Sequence, residues 1–237
     1  MEKVAGWTPE SAASIIDQTL LRPNATEEEV TEFCDEAVKF RFCTVCVNPS
    51  QVSLAWERVK SSPVRVCSVV SFPFGLSKTD VKVKEALDAV EDGAEEVDMV
   101  ANIGAEKSHR FDLVFKDAKA VAEAVKKPNR DVVVKAIIET CYLTDEEKES
   151  ACLALVRSGV DFVKTSTGFG TGGATVHDVA LMRRVVGAGV GVKASGGIRD
   201  AQAFSAMTTA GANRIGTSHG VEIVKEIATR TAQMARP

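Results

Sequence analysis

The alternation of short apolar stretches with amphipathic segments restricts the fold of this chain more than any other feature of its sequence. Eight stretches are predicted as strands: IIDQTL, CTVCV, VRVCSVV, EEVDMV, DVVVKAII, DFVKT, VGVKA and NRIGT. One segment between them repeats apolar residues at helical spacing, namely Phe111, Val114, Phe115, Ala118, Ala122 and Val125. Strands that alternate with helices pair in parallel through right-handed crossovers, which leaves a closed barrel or an open doubly wound sheet. Eight repeats favour the barrel.

Capping residues and glycines mark where the predicted helices begin and end. Capping-box patterns occur at Thr26 with Glu29 and at Thr144 with Glu147, and weaker versions at Ser77 with Asp80 and Thr175 with Asp178. Glycines suited to a left-handed helix end precede four strands: Gly93, Gly159, Gly189 and Gly211. No linker or low-complexity tract interrupts the chain. We therefore predict an α/β fold, a single (β/α)8 TIM barrel over residues 1–237 with an extra N-terminal helix near Thr8 to Ser14.

Composition and charge exclude several classes of partner. The net charge of −4 and the pI of about 5.6 argue against a nucleic-acid surface. The opening MEKVAGWTPE lacks a basic region followed by an apolar one, and no uncharged run approaches the roughly 20 residues of a membrane span. We expect a soluble, cytoplasmic protein with no nucleic-acid or membrane partner.

The cysteines and histidines do not suggest a disulfide framework or a metal site. Cys43 and Cys46 form a C-x-x-C, but no second C-x-x-C accompanies it, and in a strand these side chains point to opposite faces. His109, His177 and His219 are not at ligand spacings. We expect no metal.

Three lysines occur within or at the ends of predicted strands, where lysine is disfavoured. Lys135, Lys164 and Lys193 follow one another at equal intervals of 29 residues, about one βαβ unit, which predicts structural equivalence. Asp98 lies in the fourth strand. Because the carboxyl ends of barrel strands meet at one mouth, where active sites are built, inward-pointing side chains from these strands can meet there.

Converging lysines have a chemical consequence. Mutual repulsion and burial both disfavour the ammonium form, so we expect at least one of the three to lose its proton more easily. A neutral amine attacks carbonyls, and the resulting iminium stabilises the enamine that forms when a carbon–carbon bond breaks. Asp98 adds a carboxylate that can pair with a neighbouring ammonium and relay protons through water. The alternative is that these are structural strand lysines paired with carboxylates.

Glycine-rich loops follow the last three strands, in TSTGFGTGG, ASGGIRD and RIGTSHG. Their backbone N–H groups and hydroxyls suit a phosphate, although such residues also make ordinary short turns. Gly168, Gly170 and Gly173 match the G-x-G-x-x-G of dinucleotide-binding folds. The next strand carries Lys193 where that fingerprint requires an acidic residue, so we reject a dinucleotide site.

These motifs resemble the deoxyribose-phosphate aldolases over nearly the whole chain. The resemblance lies in IDQTLL with PNAT, CVNP, EEVDMVANIGA, VKAIIET, FVKTSTGF, VKASGGIR and NRIGTS. It implies a class I aldolase that reversibly cleaves 2-deoxy-D-ribose 5-phosphate to D-glyceraldehyde 3-phosphate and acetaldehyde, without cofactor or metal. Its partners would be the phosphorylated deoxysugar and small aldehydes, and the enzyme would be a homo-oligomer, either dimer or tetramer.

The resemblance also implies a role for individual residues. Lys164 would form the Schiff base, and Lys193 would tune it and share proton transfer with Asp98. Lys135 and Asp17 would complete the polar network. The phosphate path would follow Gly168, Gly196, Gly197, Gly216 and Ser218. We place Thr165 and Cys46 with the substrate-binding residues, and we expect Cys46 to lie near the mouth because it ends the second strand.

Three positions depart from the family pattern. Gln18 stands where I-D-H-T-L-L commonly has histidine, His219 stands where a second serine is common, and the sequence ends in MARP without the terminal tyrosine that some members use in proton transfer. We expect these to affect phosphate affinity and enamine protonation. Two other interpretations stay open: a barrel that binds phosphorylated ligands without Schiff-base chemistry, and another Schiff-base aldolase such as a transaldolase. Lys164, Lys193 and Asp98 favour the aldolase over the binding barrel.

Overall fold

The computed structural model describes residues 6–128 and 131–234, and its central element is a closed barrel of eight parallel strands. The strands are β1 Ile16–Leu20, β2 Thr44–Val47, β3 Arg65–Val70, β4 Glu96–Val100, β5 Val133–Ile137, β6 Phe162–Lys164, β7 Gly191–Ser195 and β8 Arg214–Thr217. Each pairs with the next strand along the chain, and β8 pairs with β1. The predicted barrel is confirmed.

Helices alternate with these strands around the barrel. They are α1 Pro9–Ala13, α2 Glu27–Phe40, α3 Val52–Val59, α4 Thr79–Glu91, α5 Ile103–Lys107, α6 Phe111–Lys126, α7 Asp145–Val156, α8 Val176–Val186, α9 Ala201–Thr209 and α10 Gly220–Met234. The extra N-terminal helix is α1, which packs against α10. Short 3₁₀ turns occur at Pro49–Gln51 and Thr140–Tyr142. None of the described helices is long and apolar enough to cross a membrane.

Most of the predicted helix starts are confirmed. Thr26 and Thr144 form reciprocal capping boxes, and the Thr175 hydroxyl accepts the N–H of the third residue of α8. The prediction for Ser77 is wrong, because α4 begins two residues later and its N-cap is Lys78, which makes no side-chain capping bond.

Three of the four glycine helix ends are also confirmed. Gly93, Gly159 and Gly211 have φ values of 111°, 88° and 115°. The prediction for Gly189 is wrong. Gly189 does not have a positive φ, and Gly187, which directly follows the end of α8 at Val186, has φ 62° instead.

The main hydrophobic core lies between the sheet and the helices, whereas the barrel interior holds charged side chains together with a smaller apolar cluster of Leu21, Cys46, Cys67 and Val69. Successive strand residues point to opposite faces of the sheet. Val97 and Met99 flank Asp98 and pack in the core, as Val192 and Ala194 do beside Lys193. The alternation that buries these apolar neighbours therefore turns the charged side chains inward.

Candidate active site

The Asp98 carboxylate is the centre of a buried cluster inside the barrel. Its Oδ2 accepts hydrogen bonds from the Nζ atoms of Lys164 and Lys193, each at 2.7 Å. Its Oδ1 accepts one from Lys135 at 2.8 Å. Lys164 and Lys193 are level in the strand register, whereas Lys135 pairs with Phe162, two residues below Lys164. Equal sequence spacing therefore gives two equivalent lysines and one deeper lysine, whose long side chain still contacts Asp98.

Two further carboxylates and an arginine extend the cluster downward. Asp17 Oδ2 lies 2.5 Å from Lys193 Nζ, and its Oδ1 accepts from the Nε of Arg214 at 3.0 Å. The same guanidinium donates to Glu96, with Nη2 at 2.9 Å from Oε2. Glu96 Oε2 lies 2.5 Å from the Nζ of Lys135. Asp17 therefore bridges Arg214 and Lys193, and Glu96 bridges Arg214 and Lys135.

The cations of this cluster determine the charge state of its carboxylates. Burial by itself raises the pKa of Asp98, but the charges of the three lysines around it outweigh burial and hold that pKa well below its ordinary value. In Asp17, burial is likewise outweighed by Lys193 and Arg214, and the pKa is lowered. Both side chains are therefore carboxylates at neutral pH.

The carboxylates in turn raise the pKa values of two of the lysines, whereas repulsion and burial were expected from the sequence to lower such values. Burial would lower the pKa of Lys193, but Asp17 and Asp98 raise it above its ordinary value. Burial would also lower the pKa of Lys135. Asp98, with a smaller contribution from Glu96, outweighs burial and raises this pKa well above its ordinary value. Repulsion between lysines does not ease proton loss from these two side chains, because each has two carboxylates beside it.

Lys164 differs from both neighbours in its surroundings. Its one ion pair within the described residues is with Asp98, whose Oδ2 it shares with Lys193. Of the three lysines, all of them described, Lys164 alone lines the cavity at the mouth of the barrel, about 320 Å³ in volume. It is 2% exposed, whereas the other two are fully buried. The amine that a carbonyl compound in the cavity can contact is therefore that of Lys164.

Comparison with known proteins agrees with this chemistry. The sequence profile of the DeoC/LacD family of aldolases matches residues 11–228. The chain belongs to this family. It is 56% identical over 214 residues to the deoxyribose-phosphate aldolase of Caldanaerobacter subterraneus subsp. tengcongensis, covering 90% of this chain and 92% of the relative. It is 56% identical over 216 residues to that of Thermococcus kodakarensis, covering 90% and 95%.

Solved structures extend the comparison to three dimensions. An aldolase called QR15 superposes with a TM-score of 0.87 and 41% identity, covering 94% of this chain and 98% of that one. The deoxyribose phosphate aldolase of Aeropyrum pernix, described as a unique tetramer, superposes with a TM-score of 0.86 and 34% identity, covering 92% and 91%. The barrel described above is the fold of these aldolases, and the chain is a carbon–carbon lyase.

The cavity of this aldolase brings together six residues singled out in the sequence: Lys164, Gly168, Gly196, Gly197, Gly216 and Ser218. Other lining residues had not been assigned a role: Thr19, Leu20, Leu21, Arg22, Thr167, Phe169, Ser195, Ile198, Arg199 and Thr217. Arg199 and Ser195 occur in ASGGIRD, so the loop was recognisable but its individual side chains were not. No acidic side chain lines the cavity in the described parts of the chain. The mouth is therefore suited to an anion.

Thr165 and Cys46, both predicted as substrate-binding residues, are not among the residues that line the cavity. The Thr165 hydroxyl donates to the backbone oxygen of Ser195 at 3.1 Å and accepts its N–H at 3.0 Å, so it joins β6 to β7. Cys46 is fully buried and packs with Cys67 and with Leu21, which lines the cavity. Neither the Cys46 nor the Thr165 side chain lines the cavity itself.

The departures from the family pattern have different structural settings. Gln18 faces away from the barrel interior, and its Oε1 accepts the N–H of Gly220 at 3.0 Å. Gln18 therefore fixes the start of α10. His219 lines the cavity, with Nδ1 3.0 Å from the Oγ of Ser218. Residues 235–237, which include most of the MARP end, lie outside the described residues.

Glu139 is a buried residue of the site that the sequence reading missed. It is the second residue after β5, directly before the 3₁₀ turn Thr140–Tyr142. Its carboxylate accepts the backbone N–H of Thr167 at 3.2 Å and also the Thr167 hydroxyl. Burial raises the pKa of Glu139 despite these hydrogen bonds. Glu139 thus holds in place the loop that carries Thr167 and Gly168 into the cavity wall. Its position in VKAIIET gave no hint of this contact, which joins two separate loops.

Two groups of side chains lie close enough to hold a cation, but their neighbours disfavour one. The first is Cys46, Cys67 and Asp98, in which the carboxylate already contacts three ammonium groups. The second is Asp145, His177 and Asp178. There, Lys148 Nζ lies 3.0 Å from Asp145 and 2.6 Å from Asp178 and supplies the positive charge.

Proposed function

We propose that this aldolase reversibly cleaves 2-deoxy-D-ribose 5-phosphate to D-glyceraldehyde 3-phosphate and acetaldehyde through a Schiff base on Lys164. The observation that carries the proposal is the placement of Lys164, whose amine contacts Asp98 on one side and the cavity on the other. The names of the relatives at 52–56% identity support the substrate. A transaldolase function has no comparable support.

The reaction begins when the neutral amine of Lys164 attacks C1 of the open-chain sugar. Loss of water from the carbinolamine gives an iminium. The C3 hydroxyl then loses its proton, C3 becomes the carbonyl of D-glyceraldehyde 3-phosphate, and the electron pair of the C2–C3 bond forms an enamine with the iminium. Protonation of C2 and hydrolysis release acetaldehyde and restore the amine.

Asp98 and Lys193 are assigned different parts in these proton transfers. Because the pKa of Asp98 is held well below its ordinary value, this residue stays charged and stabilises the iminium that replaces the Lys164 ammonium. Lys193 keeps its proton at neutral pH and contacts the same Asp98 oxygen. Lys193 can therefore supply a proton through water and receive it back, which is general acid–base catalysis.

The outer part of the cavity is assigned to the phosphate. Gly196, Gly197 and Ser218 line the cavity, and Arg199, which also lines it, adds positive charge. Gly196 and Gly197 have φ values of 89° and 80°, which a residue with a side chain rarely adopts. This backbone shape exposes N–H groups at close range, as phosphate-binding loops require.

Assembly and location are also part of the proposal. The tetrameric relative from Aeropyrum pernix supports a homo-oligomer, either dimer or tetramer. Light scattering, which gives the mass of the present protein in solution, tests this. We assign the enzyme to the cytoplasm. All six cysteines are described and are free thiols, which fits a reducing compartment.

Trapping with borohydride tests the central step. The enzyme is incubated with 2-deoxy-D-ribose 5-phosphate, reduced, digested and analysed by mass spectrometry. A reduced two-carbon or sugar adduct is expected on the peptide that contains Lys164. The same treatment of a Lys164→Arg variant, and of the parent without substrate, is expected to give no adduct. An adduct on Lys135 or Lys193, or turnover without any adduct, would contradict the proposal.

A further inference from the structure

Ser195 is a polar residue of the cavity to which nothing above assigns a part in the chemistry. It is the last residue of β7, two residues beyond Lys193 on the same inward face. It is 6% exposed and lines the cavity, and its Oγ has no hydrogen-bond partner among residues 6–128 and 131–234. A buried hydroxyl without a partner costs about 1–3 kcal/mol. A group of this kind at a cavity wall suits a ligand that supplies the missing partner.

The protein holds Ser195 in place without using its hydroxyl. Its backbone N–H and oxygen both bond to the Thr165 hydroxyl, at 3.0 Å and 3.1 Å. On the other side, its register partner is Gly216. A Cβ at position 216 would lie 2.3 Å from Ser195 Oγ. The missing side chain at position 216 is therefore what gives the Ser195 hydroxyl its room.

The height of Ser195 in the barrel indicates which part of the substrate it meets. Two residues along a strand advance about 6.6 Å. Lys164 is level with Lys193, so Ser195 lies about this distance nearer the mouth than the strand position of the reactive lysine. Gly197 and Ser218, assigned to the phosphate, lie in the loops beyond it. Consider a sugar attached through C1 to Lys164, with its phosphate among those loops. C5 carries the phosphate, and the neighbouring carbon, C4, then lies beside Ser195.

We propose that the Ser195 hydroxyl binds the C4 hydroxyl of the sugar, which is the C2 hydroxyl of D-glyceraldehyde 3-phosphate. The inference rests on the proposed function and deepens it. Ser195 is then a specificity-determining residue: it favours phosphorylated aldehydes that carry a hydroxyl beside the carbonyl over those that do not. A site built to hydrogen-bond a substrate hydroxyl rejects the analogue that lacks it, because the buried protein group is then left unpaired.

The test compares two acceptors in the synthetic direction, each with acetaldehyde. One is D-glyceraldehyde 3-phosphate, and the other is 3-oxopropyl phosphate, which has the same phosphate and carbonyl but lacks the hydroxyl. For Ser195→Ala we expect kcat/KM with D-glyceraldehyde 3-phosphate to fall about tenfold, the effect of one lost hydrogen bond. With 3-oxopropyl phosphate we expect no loss, so the ratio of the two kcat/KM values falls about tenfold.

Ser68→Ala is the matched control. Ser68 Oγ is also buried and has no partner in the described residues, but Ser68 does not line the cavity. This variant should keep the parent's ratio. An equal loss with both acceptors in Ser195→Ala would show a structural or phosphate-binding role and overturn the inference, as would an unchanged ratio. A parent enzyme inactive with both acceptors would instead show that the proposed function itself is wrong, and the inference would fall with it.

Discussion

Lys164 and Lys193 are register partners on neighbouring strands, and their amines share one oxygen of Asp98 at equal distances of 2.7 Å. Their surroundings nevertheless differ. Lys193 has a second carboxylate, that of Asp17, and no access to the cavity, whereas Lys164 lines it. The two amines therefore differ in their surroundings: that of Lys164 borders the cavity, and that of Lys193 is held between two carboxylates.

Replacing Lys164 with arginine should abolish turnover while leaving the barrel folded. Guanidinium keeps the positive charge next to Asp98, but it stays protonated and cannot form an imine. Cleavage of 2-deoxy-D-ribose 5-phosphate is expected to fall by roughly a thousandfold or more, to background. Binding of the sugar, followed by calorimetry, is expected to survive. Substantial activity in this variant would mean that Lys164 only binds phosphate.

The Lys193→Leu variant should lose activity without unfolding. In the described chain, the buried cluster has four cations and three carboxylates: Lys135, Lys164, Lys193 and Arg214, with Asp17, Glu96 and Asp98. Removing one cation leaves equal numbers, and every carboxylate keeps a partner. We expect turnover to fall by roughly 10²–10⁴, the range of general acid–base catalysis. The pH–rate profile is the second measurement, and a profile identical to the parent's would contradict the assigned role.

Gly216→Ala tests the packing around the reactive lysines. A Cβ at this position would lie 2.3 Å from Ser195 Oγ and 3.0 Å from Lys193 Cε, so the Ser195 hydroxyl must rotate away and Lys193 must yield slightly. A displacement of about 1 Å near the chemistry can cost roughly a hundredfold in rate, and for this smaller shift we expect kcat to fall by roughly tenfold. Gly189→Ala is the control, since nothing lies within 4 Å of a Cβ at that position. Equal activity of the two variants would show that Gly216 is not needed for the lysine geometry.

Gln18→Leu should weaken phosphate binding without changing the chemical step. The substitution leaves the Gly220 N–H without its acceptor at the start of α10, which costs roughly 1–3 kcal/mol. Ser218 and His219, which directly precede Gly220, line the cavity. KM for the phosphorylated sugar is expected to rise while kcat is retained. Gln18→His, which restores the residue common in the family, should rescue KM. A fall in kcat at constant KM would contradict this role.

Glu106 predicts how stability depends on pH. Burial raises its pKa well above the ordinary value, with Lys82 opposing and Glu147 adding to the shift, and neither carboxyl oxygen has a described hydrogen-bond partner. The unfolded chain loses this proton near about pH 4.3, while the folded chain keeps it to higher pH. Between those pKa values the folded state binds more protons, so the free energy of unfolding falls by about 1.4 kcal/mol per pH unit as pH rises.

Glu106→Gln removes this dependence. The melting temperature of Glu106→Gln minus that of the parent is therefore expected to be larger at about pH 8 than at about pH 5. The reason is that only the parent carries the ionisable group. Thermal melts of both proteins at the two pH values give the measurement. A difference between the two proteins that stays constant with pH would show that Glu106 does not titrate in this way.

The sequence by itself determined the strands, most helix ends, the family and the positions of Asp98, Lys164 and Lys193. These follow from local rules: the alternation of faces in Val97 to Met99, the capping pairs at Thr26 and Thr144, and glycines that permit a left-handed helix end. A local rule failed where two nearby glycines were both suitable, since Gly187 rather than Gly189 ends α8.

Only the tertiary structure decided which of the three lysines lines the cavity and which charged groups surround each of them. Closure of the barrel brings Asp17, from β1, and Arg214, from β8, against Lys193, although nearly the whole chain separates the first two. The negative charges of Asp17 and Asp98 reverse the expected effect of lysine repulsion on the pKa of Lys193. Sequence spacing could not show this, because a pKa depends on the distance between charges in space and on burial, and neither quantity exists until the barrel has closed.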